Sequence, residues 1–258
     1  MMPKSFLFFV LISVLVSCKT SNKDTPPPEI QTSEGALMIE NILQNSNGMV
    51  GKINIMGYFV APFYNGELKE NGSFQILLPN HFDQMTGRAF EAYNSSPIAD
   101  YELHYSTALE SFPDADGLSF KEKEARLAFA GKYYRFEVTG ANTSSYIYPA
   151  SSENFVRFVV GTKDAAPETG YHYYYIYAKE PFSIHGATTT DNLFEDGTEQ
   201  IYKRTDAYNL NINKGWNLIR YEINGLSESS KGTEKISKSV VSNLGINTKP
   251  ERWFISSK

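Results

Sequence analysis

Tyr171–Ala178, YHYYYIYA, is the stretch of this 258-residue sequence that decides the fold class. Successive side chains of a β-strand point to opposite faces of the sheet. On that period Tyr171, Tyr173, Tyr175 and Tyr177 share one face, whereas His172, Tyr174 and Ile176 share the other. Aromatic and β-branched residues are enriched in strands. The stretch therefore predicts a strand.

Further strands are predicted on both sides of it, each bounded by Gly, Pro, Ser or Asn. They are Tyr133–Val138, Phe155–Val160, Gln200–Ile212, Gly215–Ile223 and a final strand at Trp253–Ile255. Asn213, Lys214 and Gly215 join two of these strands, which predicts a hairpin. In its second arm Trp216, Leu218 and Arg220 share one face, and Asn217, Ile219 and Tyr221 share the opposite face.

The preceding part of the chain predicts a small antiparallel meander over Lys52–Pro79. Two Asn-Gly pairs, Asn65-Gly66 and Asn71-Gly72, mark its turns, because Asn-Gly suits the type I′ hairpin turn. Residues 80–100 are predicted to be loop, and Tyr101–Tyr105 to return to strand. Ser119–Ala130 fits either a short helix with Ser119 and Glu122 as a capping box or an edge strand with Leu127 and Phe129 inward.

Many strands at short spacing, with few helices, predict a mainly β fold. The expected architecture is an antiparallel β-sandwich, Greek-key and transthyretin- or Ig-like, with at most a short helix. It is expected to occupy residues 35–258, and a subdivision near 110–130 stays open as an alternative. The 17 Tyr and 17 Phe of the sequence favour strands over helices.

The N-terminus has the pattern of a secretory signal, with Lys4 followed by the apolar run Phe6–Val16. The run is too short to span a bilayer as a helix. It ends in Leu15–Cys18, LVSC, which resembles the lipobox of bacterial lipoproteins. The resemblance implies cleavage after residue 17 and a diacylglycerol, with palmitate-type chains, on Cys18. Several acyl chains together would anchor the protein firmly.

Residues 18–34 are expected to be a lipidated tether. Lys19–Ser33 is polar, and Pro26–Pro28 stiffens its middle toward polyproline II. By the lipoprotein resemblance, Lys19 in place of an aspartate favours the outer membrane and leaves the leaflet open. Several loose motifs also resemble uncharacterised lipoproteins of Gram-negative bacteria: Asn71–Phe74, Leu78-Pro79, Tyr173–Tyr177 and Lys214–Asn217.

Composition and motifs exclude several classes of function. Removal of residues 1–17 takes away Lys4, so the net charge falls from −5 to −6, and nucleic-acid binding needs a basic surface. The only cysteine is assigned to the anchor, and no Gly-x-Ser-x-Gly is present. The four histidines, at 81, 104, 172 and 185, lack zinc-ligand spacing. No cofactor is expected.

Two groups of residues are the candidate sites. Asp191, Glu195 and Asp196 form an acidic cluster that would suit calcium through carboxylate oxygens, with a hydrated loop as the alternative. Tyr173, Tyr175 and Trp216 are candidates for ligand binding, since Tyr and Trp combine an apolar face with a hydrogen-bonding group; core packing is the alternative.

The leading hypothesis is a non-catalytic binding or assembly module, lipid-anchored at the outer membrane or cell surface, with a glycan or protein partner. A fimbrial or surface-structure subunit is the second. The third is a glycan-acting enzyme that uses Glu195 or Asp196.

Overall fold

The computed structural model describes residues 36–55, 63–94, 104–130, 136–140 and 144–257. These residues form a mainly β fold, as predicted, but with few short helices where at most one was expected. The first sheet contains β1 (Leu37–Ile42), β2 (Gly51–Ile55), β3 (Phe63–Leu68), β4 (Ser73–Leu78), β8 (Phe136–Thr139), β9 (Ser144–Pro149) and β15 (Trp253–Ser257). The second contains β5 (Ser106–Thr107), β6 (Leu118–Lys121), β7 (Arg126–Ala130), β10 (Gly170–Ala178), β11 (Phe182–Leu193), β12 (Ile201–Ile212), β13 (Gly215–Glu228) and β14 (Glu234–Leu244). The helices are α1 (Phe82–Asn94), α2 (Ala108–Ser111) and α3 (Glu153–Val159).

The seven-stranded sheet, in the order β1-β4-β3-β2-β8-β9-β15, curls until its two outer strands meet. Leu43 bridges Trp253, and the Gln44 amide donates to the Trp253 carbonyl at 2.9 Å. The β2-β3-β4 meander and the strand at Trp253 are confirmed. A turn is also present at Asn71-Gly72, where the Gly72 amide donates to the Lys69 carbonyl at 2.9 Å. It is not the predicted type I′ turn, because Gly72 has φ of +79° but Asn71 does not have a positive φ.

The eight-stranded sheet runs β5-β7-β10-β13-β14-β12-β11-β6 and is curled into a half-barrel. Its two outer parts meet over one face, where Phe120 of β6 and Phe112, just after α2, both contact the Phe182 ring. That face is therefore the concave one. It encloses a core that includes Ile176, Ile184 and Leu210.

A second core lies against the convex face of the half-barrel and is shared with the seven-stranded sheet. Tyr175 and Tyr177 of β10 enter this shared core, whereas Ile176 and Ala178 enter the concave core. The alternation predicted for Tyr171–Ala178 is thus confirmed. One strand supplies both cores, which explains why it carries large side chains on both faces.

The predicted hairpin between Gln200–Ile212 and Gly215–Ile223 is wrong. The two strands exist, but β14 lies between them, parallel to β12 and antiparallel to β13. A parallel pair needs a crossover longer than a tight turn, and β13 serves as that crossover. Asn217 holds the turn instead: its Nδ2 donates to the Asn213 carbonyl at 2.7 Å, and its Oδ1 accepts from the Asn213 amide at 3.0 Å.

Two predictions about helices also fail. Residues 82–94, predicted to be loop, form α1, and Phe155–Val160, predicted to be a strand, lies largely in α3. The Ser152 hydroxyl accepts a hydrogen bond from the Phe155 amide at 2.9 Å, which is an N-cap. Helix formation there buries Phe155 and Val156, so capping and packing outweigh the β-branched pattern.

The remaining local predictions have mixed outcomes. Asn65-Gly66 is not a turn but lies inside β3, where a Cβ on Gly66 would stand 2.2 Å from the Gln75 carbonyl oxygen. Ser119–Ala130 is extended rather than helical, but it forms two strands, β6 and β7, instead of the one edge strand of the alternative. Leu127 enters the concave core and Phe129 the core shared with the other sheet. In the Tyr101–Tyr105 prediction, residues 101–103 lie outside the described ranges, and 104–105 are not in a strand.

Candidate functional site

The three aromatic candidates belong to the shared core or its margin. Tyr175 is 3% exposed and contributes to that core. Trp216 is half-buried, and its Nε1 donates to the Pro79 carbonyl at 2.8 Å. Tyr173 is half-buried at the margin, with its ring 5.2 Å from that of Tyr171. The structure therefore places their rings mainly in packing contacts.

The acidic candidates lie at or near the tip of the β11–β12 hairpin. Asp191 and Glu195 are exposed, and Glu195 Oε2 lies 3.6 Å from Lys235 Nζ. Asp196 accepts hydrogen bonds from the Thr198 amide at 2.9 Å and from the Ser229 hydroxyl at 2.5 Å. These bonds, that of Ser229 foremost, hold the pKa of the Asp196 carboxyl well below its usual range.

Asp196 therefore fastens the β11–β12 tip to the β13–β14 tip. No group of three His, Cys, Asp or Glu residues within the described ranges is placed to hold a metal ion. Cys18 precedes residue 36, so the lipid-attachment prediction lies outside the described residues.

A different set of side chains comes together on the concave face, and we call it the concave cluster. Its members alternate along neighbouring strands beside the apolar core, so that aromatic and charged groups share one surface. They are His172 and Tyr174 on β10, Arg204, Asp206 and Tyr208 on β12, Tyr221 on β13 and Ser239 on β14.

An ion pair lies at the β12 side of the concave cluster. Arg204 Nε donates to Asp206 Oδ2 at 2.9 Å, and the buried Ser239 hydroxyl donates to Asp206 Oδ1 at 2.6 Å. The Arg204 side chain remains 37% exposed and that of Asp206 20%. Both carboxylate oxygens are thus engaged, while part of the guanidinium faces solvent.

The aromatic side of the cluster is uncharged at neutral pH. Burial raises the pKa of Tyr208 to about 12 and raises the pKa of Tyr174 and of Tyr221 as well. Burial also lowers the pKa of His172 to about 4. The His172 ring lies 5.6 Å from the ring of Tyr174 and 5.5 Å from that of Tyr221, so these three rings are in contact, and Tyr208 packs against the same concave core.

Two hydroxyls of the concave cluster are not used in hydrogen bonds among the described residues. Within the described part of the chain, the Tyr174 and Tyr208 hydroxyls make no hydrogen bond to another residue, and neither is a fully enclosed polar atom. Both rings are half-buried and pack against the concave core. Packing therefore fixes each ring and leaves its hydroxyl without a hydrogen-bond partner among the described residues.

Sequence reasoning missed the concave cluster for an identifiable reason. It followed the Tyr171–Tyr177 face of β10, although the opposite face carries His172 and Tyr174. The period-two series Arg204, Asp206 and Tyr208 was a usable signal. Ser239 could not be placed because β14 was not predicted.

No family model, curated protein or solved structure matches this chain. Among the helices of the described ranges, none has the length and hydropathy required to cross a membrane.

Proposed function

We propose that the protein is a non-catalytic binding module of the outer membrane or cell surface, lipid-anchored through Cys18, whose binding surface is the concave cluster. The LVSC motif and the polar tether support the anchor. The observation that carries the binding role is the concave cluster itself, in which fixed aromatic rings stand beside an ion pair with exposed guanidinium. The Ig-like or transthyretin-like sandwich remains part of this proposal, since one core is shared by two sheets.

The chemistry of the cluster favours binding over catalysis. A general base works best with a pKa near the operating pH, whereas that of His172 is about 4 and that of Tyr208 about 12. Asp196, a candidate for a glycan-acting enzyme, has its pKa held low by hydrogen bonds. A lowered pKa opposes the role of general acid, which needs a raised one.

A surface-structure subunit is the second candidate, favoured by one observation. Among the described strands β11 pairs with β6 only over Ser183–Gly186, although it pairs with β12 along its whole length. Residues 187–193 therefore offer backbone groups to which a further strand could add. Concentration-dependent ladders or filaments of purified protein would favour this candidate, and a monomer at all concentrations would oppose it.

The anchor is tested by metabolic labelling with palmitate and by fractionation. Cys18→Ala should abolish labelling and release the protein from the membrane fraction. Unchanged attachment would refute the anchor.

The binding surface is tested separately by immobilising the non-lipidated chain and measuring the total envelope material that it retains. Tyr208→Leu should reduce retention. Tyr171→Leu, a matched substitution on the opposite face of the half-barrel, should not. Equal retention by all three proteins would refute the concave cluster as the binding surface.

A further inference from the structure

The charge of the concave cluster restricts the ligand. Arg204 and Asp206 neutralise each other at 2.9 Å, and the aromatic members are uncharged at neutral pH. An anionic ligand would compete with Asp206 for Arg204 and leave a partly buried carboxylate without its partner, which is costly. A cationic ligand would find both Asp206 oxygens already occupied. The surface therefore suits a ligand without net charge.

The shape and hydrogen-bonding capacity restrict it further. Four rings present apolar faces or edges, and Tyr174 and Tyr208 add two free hydroxyls among the described residues. The exposed part of the Arg204 guanidinium adds N–H donors in a fixed plane. A purely apolar ligand would leave all of these polar groups without partners, which lowers affinity.

The cluster is also broad. It crosses from β10 through β13 and β14 to β12, and three strand spacings correspond to about 14 Å. A ligand that fills this width must carry repeated apolar faces flanked by hydroxyl groups. Pyranose rings have both features, since their C–H faces stack on aromatic rings and their equatorial hydroxyls accept and donate at the rim.

We infer that the concave cluster binds a neutral carbohydrate chain, with the tyrosine rings as stacking surfaces and the Arg204–Asp206 pair and the tyrosine hydroxyls as hydrogen-bonding partners. This inference rests on the proposed function and names the ligand class of the same site.

The test is isothermal titration calorimetry of the full mature chain with Cys18→Ser. The probes are soluble neutral glucan, mannan and xylan, the anionic polymer polygalacturonate, and a long-chain fatty acid. At least one neutral polysaccharide should bind, with an affinity that is the same at low and high salt, because no net charge is neutralised. Tyr208→Leu should weaken binding about tenfold through loss of one ring contact and one hydroxyl.

Two further variants keep the test decisive if Tyr208→Leu folds poorly. Tyr208→Phe retains the ring and should weaken binding less than Tyr208→Leu, and Tyr171→Leu should leave it unchanged. The inference is overturned if no neutral polysaccharide binds, if only polygalacturonate binds with strong salt dependence, if only the fatty acid binds, or if Tyr171→Leu weakens binding as much as Tyr208→Leu. Envelope material retained through Tyr208 without neutral-glycan binding would refute the ligand class alone. If the protein neither retains envelope material through Tyr208 nor binds a neutral polysaccharide, the proposed binding module is refuted as well.

Discussion

Trp253 closes the seven-stranded sheet, and its substitution gives the sharpest test of the fold. The side chain is 0% exposed, with ring centroids 5.0 Å from Phe74 and 6.2 Å from Phe136. Truncating a buried Trp to Ala removes its transfer free energy and leaves a cavity, at a cost of about 3–5 kcal/mol. Trp253→Ala should therefore lower the free energy of unfolding by about 3–5 kcal/mol.

Trp253→Phe should behave differently because the indole Nε1 is buried and has no hydrogen-bond partner among the residues that the structure describes. Loss of about three ring atoms costs about 2 kcal/mol. Removal of an unsatisfied buried donor recovers about 1–3 kcal/mol. The two contributions offset each other, and the net change should lie within about 1 kcal/mol of zero.

Trp216→Phe is the matched control, since the Trp216 Nε1 donates to the Pro79 carbonyl at 2.8 Å. Trp216→Phe loses the same ring atoms and, in addition, a hydrogen bond. It should therefore lower the free energy of unfolding by about 2–3 kcal/mol. Urea unfolding of the non-lipidated chain, followed by far-UV circular dichroism, measures all three variants. At about 3 kcal/mol per molar urea, Trp253→Ala should lower the unfolding midpoint by about 1–1.7 M. A Trp253→Phe cost equal to or above that of Trp216→Phe would refute the reasoning.

Three other predictions concern single residues. The pKa of His172 is lowered to about 4 by burial, so the unfolded chain binds more protons than the folded chain between about pH 6.5 and 4. The free energy of unfolding should therefore fall by up to roughly 2–3 kcal/mol as the pH is lowered through that window. His172→Gln should flatten this part of the pH–stability curve, measured by urea titration. Asp196 has a lowered pKa, so its contribution should be present at neutral pH and be lost as pH falls below the ordinary value of about 3.9; the difference in Tm between wild type and Asp196→Asn should shrink there, and a constant difference would contradict the hydrogen-bond account. Gly186 has φ of +124°, and a Cβ there would stand 2.1 Å from the Gly117 carbonyl oxygen. Gly186→Ala should therefore cost at least about 1–3 kcal/mol in thermal unfolding. It should cost more than Gly215→Ala, where φ is +96° but a Cβ would meet no non-neighbouring atom of the described residues within 4 Å.

The sequence was sufficient where the pattern was local and repeated. Alternation along Tyr171–Ala178 predicted both the strand and the division of its faces, because a buried strand between two cores must carry large side chains on both sides. Asn71-Gly72 correctly marked a turn but not its type, since Gly72 and not Asn71 has a positive φ. Ser119–Ala130 was ambiguous because its charges suit a helix surface and an exposed strand equally.

The wrong predictions from the sequence have a common physical cause. Tertiary contacts outweighed the local conformational preference of the segment. The hairpin between β12 and β13 looked favourable because Asn213-Lys214-Gly215 is a good turn. Only the insertion of β14, a non-local event, reassigned the pairing. Phe155–Val160 has strand composition, yet a Ser152 cap and the burial of Phe155 make it helical.

The candidate site, too, was only partly predictable because it depends on non-local contacts. Arg204, Asp206 and Tyr208 were visible as an alternating series on one strand. Their meeting with His172 and Tyr221 depended on strand order, which no local pattern encodes. The aromatic residues that the sequence singled out, Tyr175 and Trp216, lie mainly in packing contacts because the convex face of β10 is the one covered by the other sheet.

The seam of the seven-stranded sheet has a consequence for the time course of folding. The Ile255 amide donates to Asn45 Oδ1 at 2.8 Å, across 210 positions of sequence. A chain that emerges N-terminus first leaves β1 with one open edge until residues 253–257 have followed, and contacts of such long range form slowly. During that interval β1 and β9 both expose pairing groups to other chains. Chaperone protection should therefore matter most for this sheet. In pulsed hydrogen exchange during refolding, amides of the β1–β15 seam should be the last to become protected.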